Sequence, residues 1–362
     1  MLPSDAVPYP DTLASVPTIR RIDGLVQAGL VPPDHAAELA AVTERFALAV
    51  TPQVAALIDP DDPDDPIARQ FVPQVAELRV LDQERDDPIG DHAHAPVPGV
   101  VHRYPDRALL KPLHSCPVYC RFCFRREQVG PGGDALRTES LDRAFRYLAG
   151  ADGLREVILS GGDPLMLSPE RLGGLVRRIA DLPQVEVLRV HSRVPVVDSA
   201  RITDALVQAL RSTRLPAWVV VHVNHARELS QESVGALTRL VDAGVPVLSQ
   251  TVLLRGVNDS VDALEDLFRG LVRLRVKPYY LHHGDLAAGT SHLRTTVDHG
   301  QELMRQLRGR VSGLALPTYV LDIPGGYGKV PIGPVFLRRG EGWQVTDPWG
   351  RTHVYSDTAS RT

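Results

Sequence analysis

Runs of branched apolar residues at 156–161, 185–191, 217–224, 245–253 and 276–282 recur at a nearly constant interval. The interval is roughly 30 residues, the length of one strand–helix unit. Amphipathic stretches at 139–149, 169–182, 202–211, 230–243, 260–274 and 297–309 fill the gaps, and a further run at 108–114 precedes them. Alternation of this kind buries a parallel sheet beneath helices. Six units predict an α/β fold, a partly closed, TIM-like (β/α)6 barrel, since eight strands cannot be counted. Residues 1–100 read as a helical, proline-punctuated region, with helices expected at 18–31 and 34–50 around Pro32-Pro33. Residues 101–310 form the barrel in this reading. Residues 311–362 add strands at 317–323, 335–338, 343–346 and 352–355, a small β appendage expected to cover the barrel mouth.

The loop after the first strand holds all three cysteines of the 362-residue chain, Cys116, Cys120 and Cys123. An odd, clustered set with no distant partner does not suit disulfides. Thiolates spaced C-x3-C-x2-C suit an iron–sulfur cluster with one open iron, or zinc with His114 as a fourth ligand. Buried, unreactive thiols are the third reading. The loop sits where barrel folds build active sites, on the C-terminal face of the strands.

A formal net charge of −4 argues against a broad nucleic-acid-binding face. No run approaches the ~20 apolar residues of a membrane span. The start Met1-Leu2-Pro3-Ser4-Asp5 shows no leader sequence, and reduced thiols suit the cytoplasm. Among 40 basic residues only Lys111, Lys277 and Lys329 are lysines. Only a lysine amine forms a Schiff base, so each matters. Lys329 follows the glycine-rich run Gly325-Gly326-Tyr327-Gly328, which gives a bulky group access to its amine or binds a phosphate. Lys111 and Lys277 suit structural or surface roles.

Three other stretches carry weaker signals. Arg103-Tyr104-Pro105-Asp106-Arg107 can hold a phosphate beside an aromatic ring, or can form surface ion pairs. Ser160-Gly161-Gly162-Asp163-Pro164 permits close approach of a ligand to the backbone, or makes a tight turn. The run Asp59 to Pro66 reads as a solvated turn, and His92 and His94 read as loop histidines.

The cysteine spacing resembles that of the radical S-adenosylmethionine (SAM) superfamily. That resemblance implies a [4Fe-4S] cluster whose open iron binds SAM and whose electron releases a 5′-deoxyadenosyl radical. The ordered series from Arg103-Tyr104-Pro105-Asp106-Arg107 through the cysteine loop, Ser160-Gly161-Gly162-Asp163-Pro164-Leu165, His191-Ser192-Arg193-Val194-Pro195, Val221-His222-Val223-Asn224-His225 and Gln250-Thr251-Val252-Leu253-Leu254-Arg255-Gly256-Val257-Asn258-Asp259 to Asp322-Ile323-Pro324-Gly325-Gly326-Tyr327-Gly328-Lys329 narrows it. Over residues 100–355 this series is similar to the lysine 2,3-aminomutase family.

That likeness implies pyridoxal 5′-phosphate (PLP) as a further cofactor and migration of the amino group of L-lysine from carbon 2 to carbon 3. Lys329 matches the lysine that holds PLP. Arg103, Tyr104, Arg107 and Gln250 match PLP contacts. Ser160, Gly161, Gly162, His222 and Asn224 match positions near SAM. Arg125 matches the partner of the substrate α-carboxylate, and Asp285 and Asp322 match the acids that receive the distant ammonium. A flavodoxin or ferredoxin as electron donor and a homo-oligomer are also implied. Longer members end in a zinc-binding tail and add a cysteine at the place of Ser260, so no zinc is expected here. The run Arg121 to Arg126 also resembles shorter homologues that make β-lysine for modification of elongation factor P, the alternative reading.

Overall fold

The computed structural model describes residues 17–130, 132–133, 135–340 and 342–356. The N-terminal stretch read for a leader sequence lies outside them. Four short helices come first, α1 (Ile22–Gln27), α2 (Ala36–Arg45), α3 (Pro52–Ala55) and α4 (Ala68–Phe71). The first two are shorter than periodicity suggested. Gly29, at a φ of +71°, turns the chain after α1. Phe46 is extended after α2, and beyond it Val50 pairs with Ile19 in an isolated antiparallel bridge.

Nine strands then form one sheet in chain order. β1 (Val100–Tyr104) runs antiparallel to β2 (Arg107–Leu113). β3 (Glu156–Gly161), β4 (Val187–Ser192), β5 (Ala217–His222), β6 (Val247–Val252), β7 (Lys277–His282) and β8 (Thr318–Asp322) follow, each parallel to its predecessor. β9 (Lys329–Pro331) turns back antiparallel to β8. The connecting helices are α5 (Thr138–Ala149), α6 (Pro169–Ala180), the short α7 (Val194–Val197), α8 (Asp204–Arg211), α9 (Gln231–Asp242), α10 (Val261–Arg273) and α11 (Val297–Arg310). The expected parallel strands and barrel helices all form, within about two residues at most ends. The sheet does not close, because β1 and β9 share no ladder.

Local chemistry explains why the units start cleanly. Ser168, Thr203, Ser230, Ser260 and Thr296 each accept a hydrogen bond from a backbone N–H in the first turn of the following helix. Such caps satisfy donors that a helix leaves free, each contributing about 1 kcal/mol. Ser260 is therefore a helix cap here. Behind the caps, the buried faces of α6, α8, α9 and α10 join the strand side chains in one continuous apolar core.

The N-terminal region is pinned to the cysteine loop by charge. Glu77 is 0% exposed and accepts from Arg121 Nε at 2.9 Å, from Arg121 Nη2 at 2.6 Å, and from Arg126. The Arg126 guanidinium also lies 3.5 Å from the centre of the Phe46 ring. Asp65, read as part of a solvated turn, is 0% exposed. It caps Ile67 and Ala68 and pairs with Arg227 at 2.6 Å. Its neighbours Asp59, Asp61, Asp62 and Asp64 are exposed, as expected.

A three-stranded antiparallel sheet ends the described chain, β10 (Leu337–Arg339), β11 (Trp343–Thr346) and β12 (Thr352–Tyr355). It does not cover the barrel mouth. Arg308 lies over Phe336, and Gly309 leaves room for Pro348, so this sheet packs beside the C-terminal end of α11. A helix in a βα unit runs back from the strand ends, which puts that end opposite the mouth.

Removing Glu77 leaves two buried guanidinium groups unpaired. Glu77→Ala should therefore cost about 3–5 kcal/mol, the range for breaking a buried ion pair. Urea unfolding of the two proteins measures it, and a loss below about 1 kcal/mol would contradict the anchoring role.

Candidate active site

The curled sheet encloses a cavity of about 700 Å³. Its wall includes all three cysteines, Lys329, Asp285 and Asp322. Residues separated by two hundred positions thus share one chamber, because each lies at or just beyond a strand end.

The cysteine loop leaves β2 and is held from both sides. Tyr119 N–H bonds to Ala49 O and Arg121 N–H to Gln70 O, both in the N-terminal region. On the other side Asp163 N–H bonds to Ser115 O, and Gly162 N–H to Leu113 O. A Cβ on Gly162 would stand 2.2 Å from Ser115 O, and one on Gly161 2.7 Å from Leu113 O. Gly161 also has a φ of +109°. Both glycines line the cavity, and both are required by backbone packing against the cysteine loop. Burial pushes the Cys116 thiol well up and the Cys123 thiol to about 11. Among the described residues no three His, Cys, Asp or Glu side chains stand ready as a metal site, His114 with the thiols included. Three soft donors facing one chamber, with Arg193 Nη1 donating to Cys120 Sγ at 2.9 Å, fit a cluster that draws them together.

Arg125 reaches the cavity from the end of this loop. Its Nε donates to Asp91 Oδ2 at 2.9 Å and its Nη1 to Ser160 Oγ at 3.2 Å. Asp91, in the N-terminal region, also faces Arg103 at 3.5 Å and Lys111 at 3.9 Å. Burial works against this carboxylate, yet the charges of Arg125 and Lys111 hold it below its usual range. Burial and Arg125 lower Lys111 in turn. One buried acid therefore gathers three cations, of which Arg103 and Arg125 line the cavity. Its place in Gly90-Asp91-His92-Ala93-His94 gives no local signal, because every partner is distant in sequence.

Lys329 opens β9, and its backbone N–H donates to Tyr104 Oη at 2.7 Å. This bond joins β9 to β1 across the open side of the sheet. Gly328, at a φ of +99°, lets the tyrosine approach, as a Cβ there would lie 3.1 Å from Oη. Lys329 Nζ is ion-paired with Asp322 and lies 3.1 Å from His282 Nδ1. Burial lowers His282, whose Nδ1 stands between the Lys329 amine and Asp322, 3.5 Å from the carboxylate. Arg107 lies 3.7 Å over the Tyr104 ring, and Gln250 lines the same wall. Arg103 Nε is buried without a partner among the described residues. A primary amine on the cavity wall, a half-buried aromatic ring and a spare guanidinium donor fit PLP. The other lysines have structural partners. Lys277 Nζ bonds to the Pro278 and Leu316 carbonyls, and Lys111 faces Asp91.

The two aspartates differ. Burial would raise Asp322, but His282 and Lys329 hold it well below the usual carboxylate range. Asp285 has no cation within ion-pair distance among the described residues, and burial followed by the charge of Asp322 pushes it up to about 7.

His222 lines the cavity with its ring 5.4 Å from that of Phe122, and its Nε2 is buried without a partner among the described residues. Burial drives His222 and the similarly placed His191 well below the usual histidine range. Both are neutral rings with an unused nitrogen, which fits a polar ligand such as SAM. Asn224 corrects the expectation. It is 0% exposed and outside the cavity wall. Its amide donates to Gln70 and accepts from Val252 N–H, so two residues beyond the end of β5 it is a packing and hydrogen-bonding residue.

The radical SAM superfamily model matches residues 110–268, and a lysine-2,3-aminomutase model matches residues 304–341. The chain is 42% identical to L-lysine 2,3-aminomutase of Clostridium subterminale, over 83% of this chain and 72% of that one. It is 41% identical to L-lysine 2,3-aminomutase of Fusobacterium nucleatum, over 86% and 76%. Glutamate 2,3-aminomutase of Clostridioides difficile is 35% identical, over 82% and 70%.

Cys116→Ala, Cys120→Ala and Cys123→Ala should each abolish the iron–sulfur absorbance of anaerobically reconstituted protein. Wild-type protein that takes up stoichiometric zinc and no iron would overturn the cluster assignment.

Proposed function

We infer that this chain, which belongs to the lysine 2,3-aminomutase family, moves the amino group of L-lysine from carbon 2 to carbon 3. It is a radical SAM isomerase. The cluster and SAM supply a carbon-centred radical, and PLP supplies the conjugated ring that lets nitrogen migrate. The chain's own residues then hold, orient and shield. Lys329 would carry PLP, with Tyr104, Arg103, Arg107 and Gln250 around its ring and phosphate. Cys116, Cys120 and Cys123 would hold the cluster, with Gly161, Gly162, Ser160 and His222 near SAM. Arg125, already aimed by Asp91 and Ser160, would bind the substrate carboxylate.

The observation that carries the substrate choice is Asp285, a cavity carboxylate without a cationic partner among the described residues and pushed up to about 7 by burial. Leaving such a group charged and unpaired is costly, so the site favours a ligand that brings a positive charge. The ε-ammonium of lysine brings it. The side-chain carboxylate of glutamate would instead meet two acids. Asp322 is the second acid, and it also holds Lys329.

An external one-electron donor such as a flavodoxin or ferredoxin would reduce the cluster. A cytoplasmic location suits three unpaired thiols. Among the described residues no helix is long and apolar enough to cross a membrane. Exposed Leu337, Trp349, Val354 and Tyr355 support assembly as a homo-oligomer.

Reconstituted protein given SAM, PLP and a reductant should convert L-lysine to β-lysine and leave L-glutamate unchanged. A preference for glutamate would overturn the proposal. Asp285 gives a sharper test. Its charged fraction rises as pH increases through about 7. The kcat/KM for lysine should climb about tenfold per pH unit below that point and then level. Asp285→Asn should lose this limb and reduce kcat/KM by about 2–5 kcal/mol, roughly 30- to several-thousand-fold. Asp322→Asn is a less specific probe, because it also disturbs Lys329. An unchanged pH profile in Asp285→Asn would sink the role of Asp285.

A further inference from the structure

Cys120 is set apart from the other two cysteines by a cationic side chain on its sulfur. Arg193, just beyond β4, donates Nη1 to Cys120 Sγ at 2.9 Å. Its Nη2 donates to Glu228 Oε2 at 2.8 Å and to Gln70 Oε1 at 2.6 Å. The guanidinium lies 4.5 Å from the centre of the Phe71 ring and 5.3 Å from that of Phe122. Arg193, Glu228 and Gln70 are all buried.

Glu228 cannot easily follow a moving partner. Its Oε1 accepts from the backbone N–H groups of Asn224 and His225, each at 2.9 Å, and from Gln70 Nε2 at 3.2 Å. Gln70 O in turn accepts from Arg121 N–H inside the cysteine loop. Four segments distant in sequence therefore fix one positive charge against one sulfur and one negative charge behind it. This buried pair exceeds what packing the loop requires, because Glu77 and the glycine turn already hold the loop.

We propose that Arg193 and Glu228 are an opposed pair that sets the reduction potential of the cluster, Arg193 raising it through Cys120 and Glu228 holding it down. Adding an electron increases the negative charge shared by the cluster and its thiolate ligands. An N–H donor and a cation on one ligand sulfur stabilise that reduced form, while a nearby carboxylate opposes it. Reductive cleavage of a sulfonium needs a strongly reducing electron. Glu228 therefore keeps the useful hydrogen bond from making the cluster too weak a reductant. Arg193 is a positioning and tuning residue, and the inference rests on the cluster assignment above.

The test compares reconstituted wild type, Arg193→Lys, Arg193→Gln and Glu228→Gln. Iron per chain is measured first, and the midpoint potential then follows from an EPR-monitored titration with and without SAM. Glu228→Gln should move the midpoint upward and Arg193→Gln downward, with Arg193→Lys between Arg193→Gln and wild type. Iron content should stay near the wild-type value in Glu228→Gln and Arg193→Lys, which keep the charge on position 193. If Arg193→Gln loses iron, the opposite shifts of those two variants still decide the matter. Midpoints that stay put, or shift in one direction in all variants, would overturn the proposal. So would weaker SAM binding at an unchanged midpoint in Arg193→Lys, which would place Arg193 on the SAM carboxylate. Absence of iron from wild type as well would refute the cluster assignment itself, a distinguishable failure.

Discussion

An open parallel sheet must satisfy the backbone of its two edge strands, and this constraint organises the rest of the molecule. The chain meets it by adding one antiparallel strand at each side, β1 before the parallel run and β9 after it. A hydrogen bond from Lys329 N–H to Tyr104 Oη then spans the gap. The same bond places the Lys329 amine inside the barrel. Loop contacts reinforce the seam, with His94 Nε2 at 2.9 Å from Gly326 O and Gly90 packed against Gly325. Edge protection and cofactor placement are thus one structural solution.

Charge does the remaining work. The N-terminal region supplies Glu77 under the cysteine loop, Asp91 among Arg103, Lys111 and Arg125, and Gln70 behind Arg193. Each is buried, and each partner lies on or beside the barrel wall. A region that reads as a helical preface is thereby an electrostatic component of the site. Its short helices are positioned by these ion pairs as well as by apolar packing.

Legibility in the sequence followed the range of the physics. The parallel strands and their helices were readable because alternation, helical periodicity and Ser or Thr caps are local. The cysteine loop, Lys329, Arg125, Asp285 and Asp322 could be named from spacing and resemblance, and the structure brings them to one cavity. Asp91, Glu77 and Glu228 could not, because an acid that pairs with a distant arginine looks like any other acid. Asn224 misled for a related reason. Two residues beyond His222, its amide bonds to Gln70 and Val252, partners far away in the chain that no local pattern announces. The C-terminal strands were legible as strands, but their place beside α11 depends on contacts of Phe336 and Pro348 that carry no sequence signature.

The contact between β1 and β9 delivers one particular amine to the cavity. With only Lys111, Lys277 and Lys329 in the chain, the alternatives are few. The direct measurement is borohydride reduction of PLP-loaded protein, followed by digestion and mass-spectrometric mapping of the pyridoxyl group. The label should fall on Lys329 alone, at about one per chain, and be lost in Lys329→Ala while iron content is retained. A label on Lys111 or Lys277, or an unlabelled wild type that still binds PLP, would contradict it.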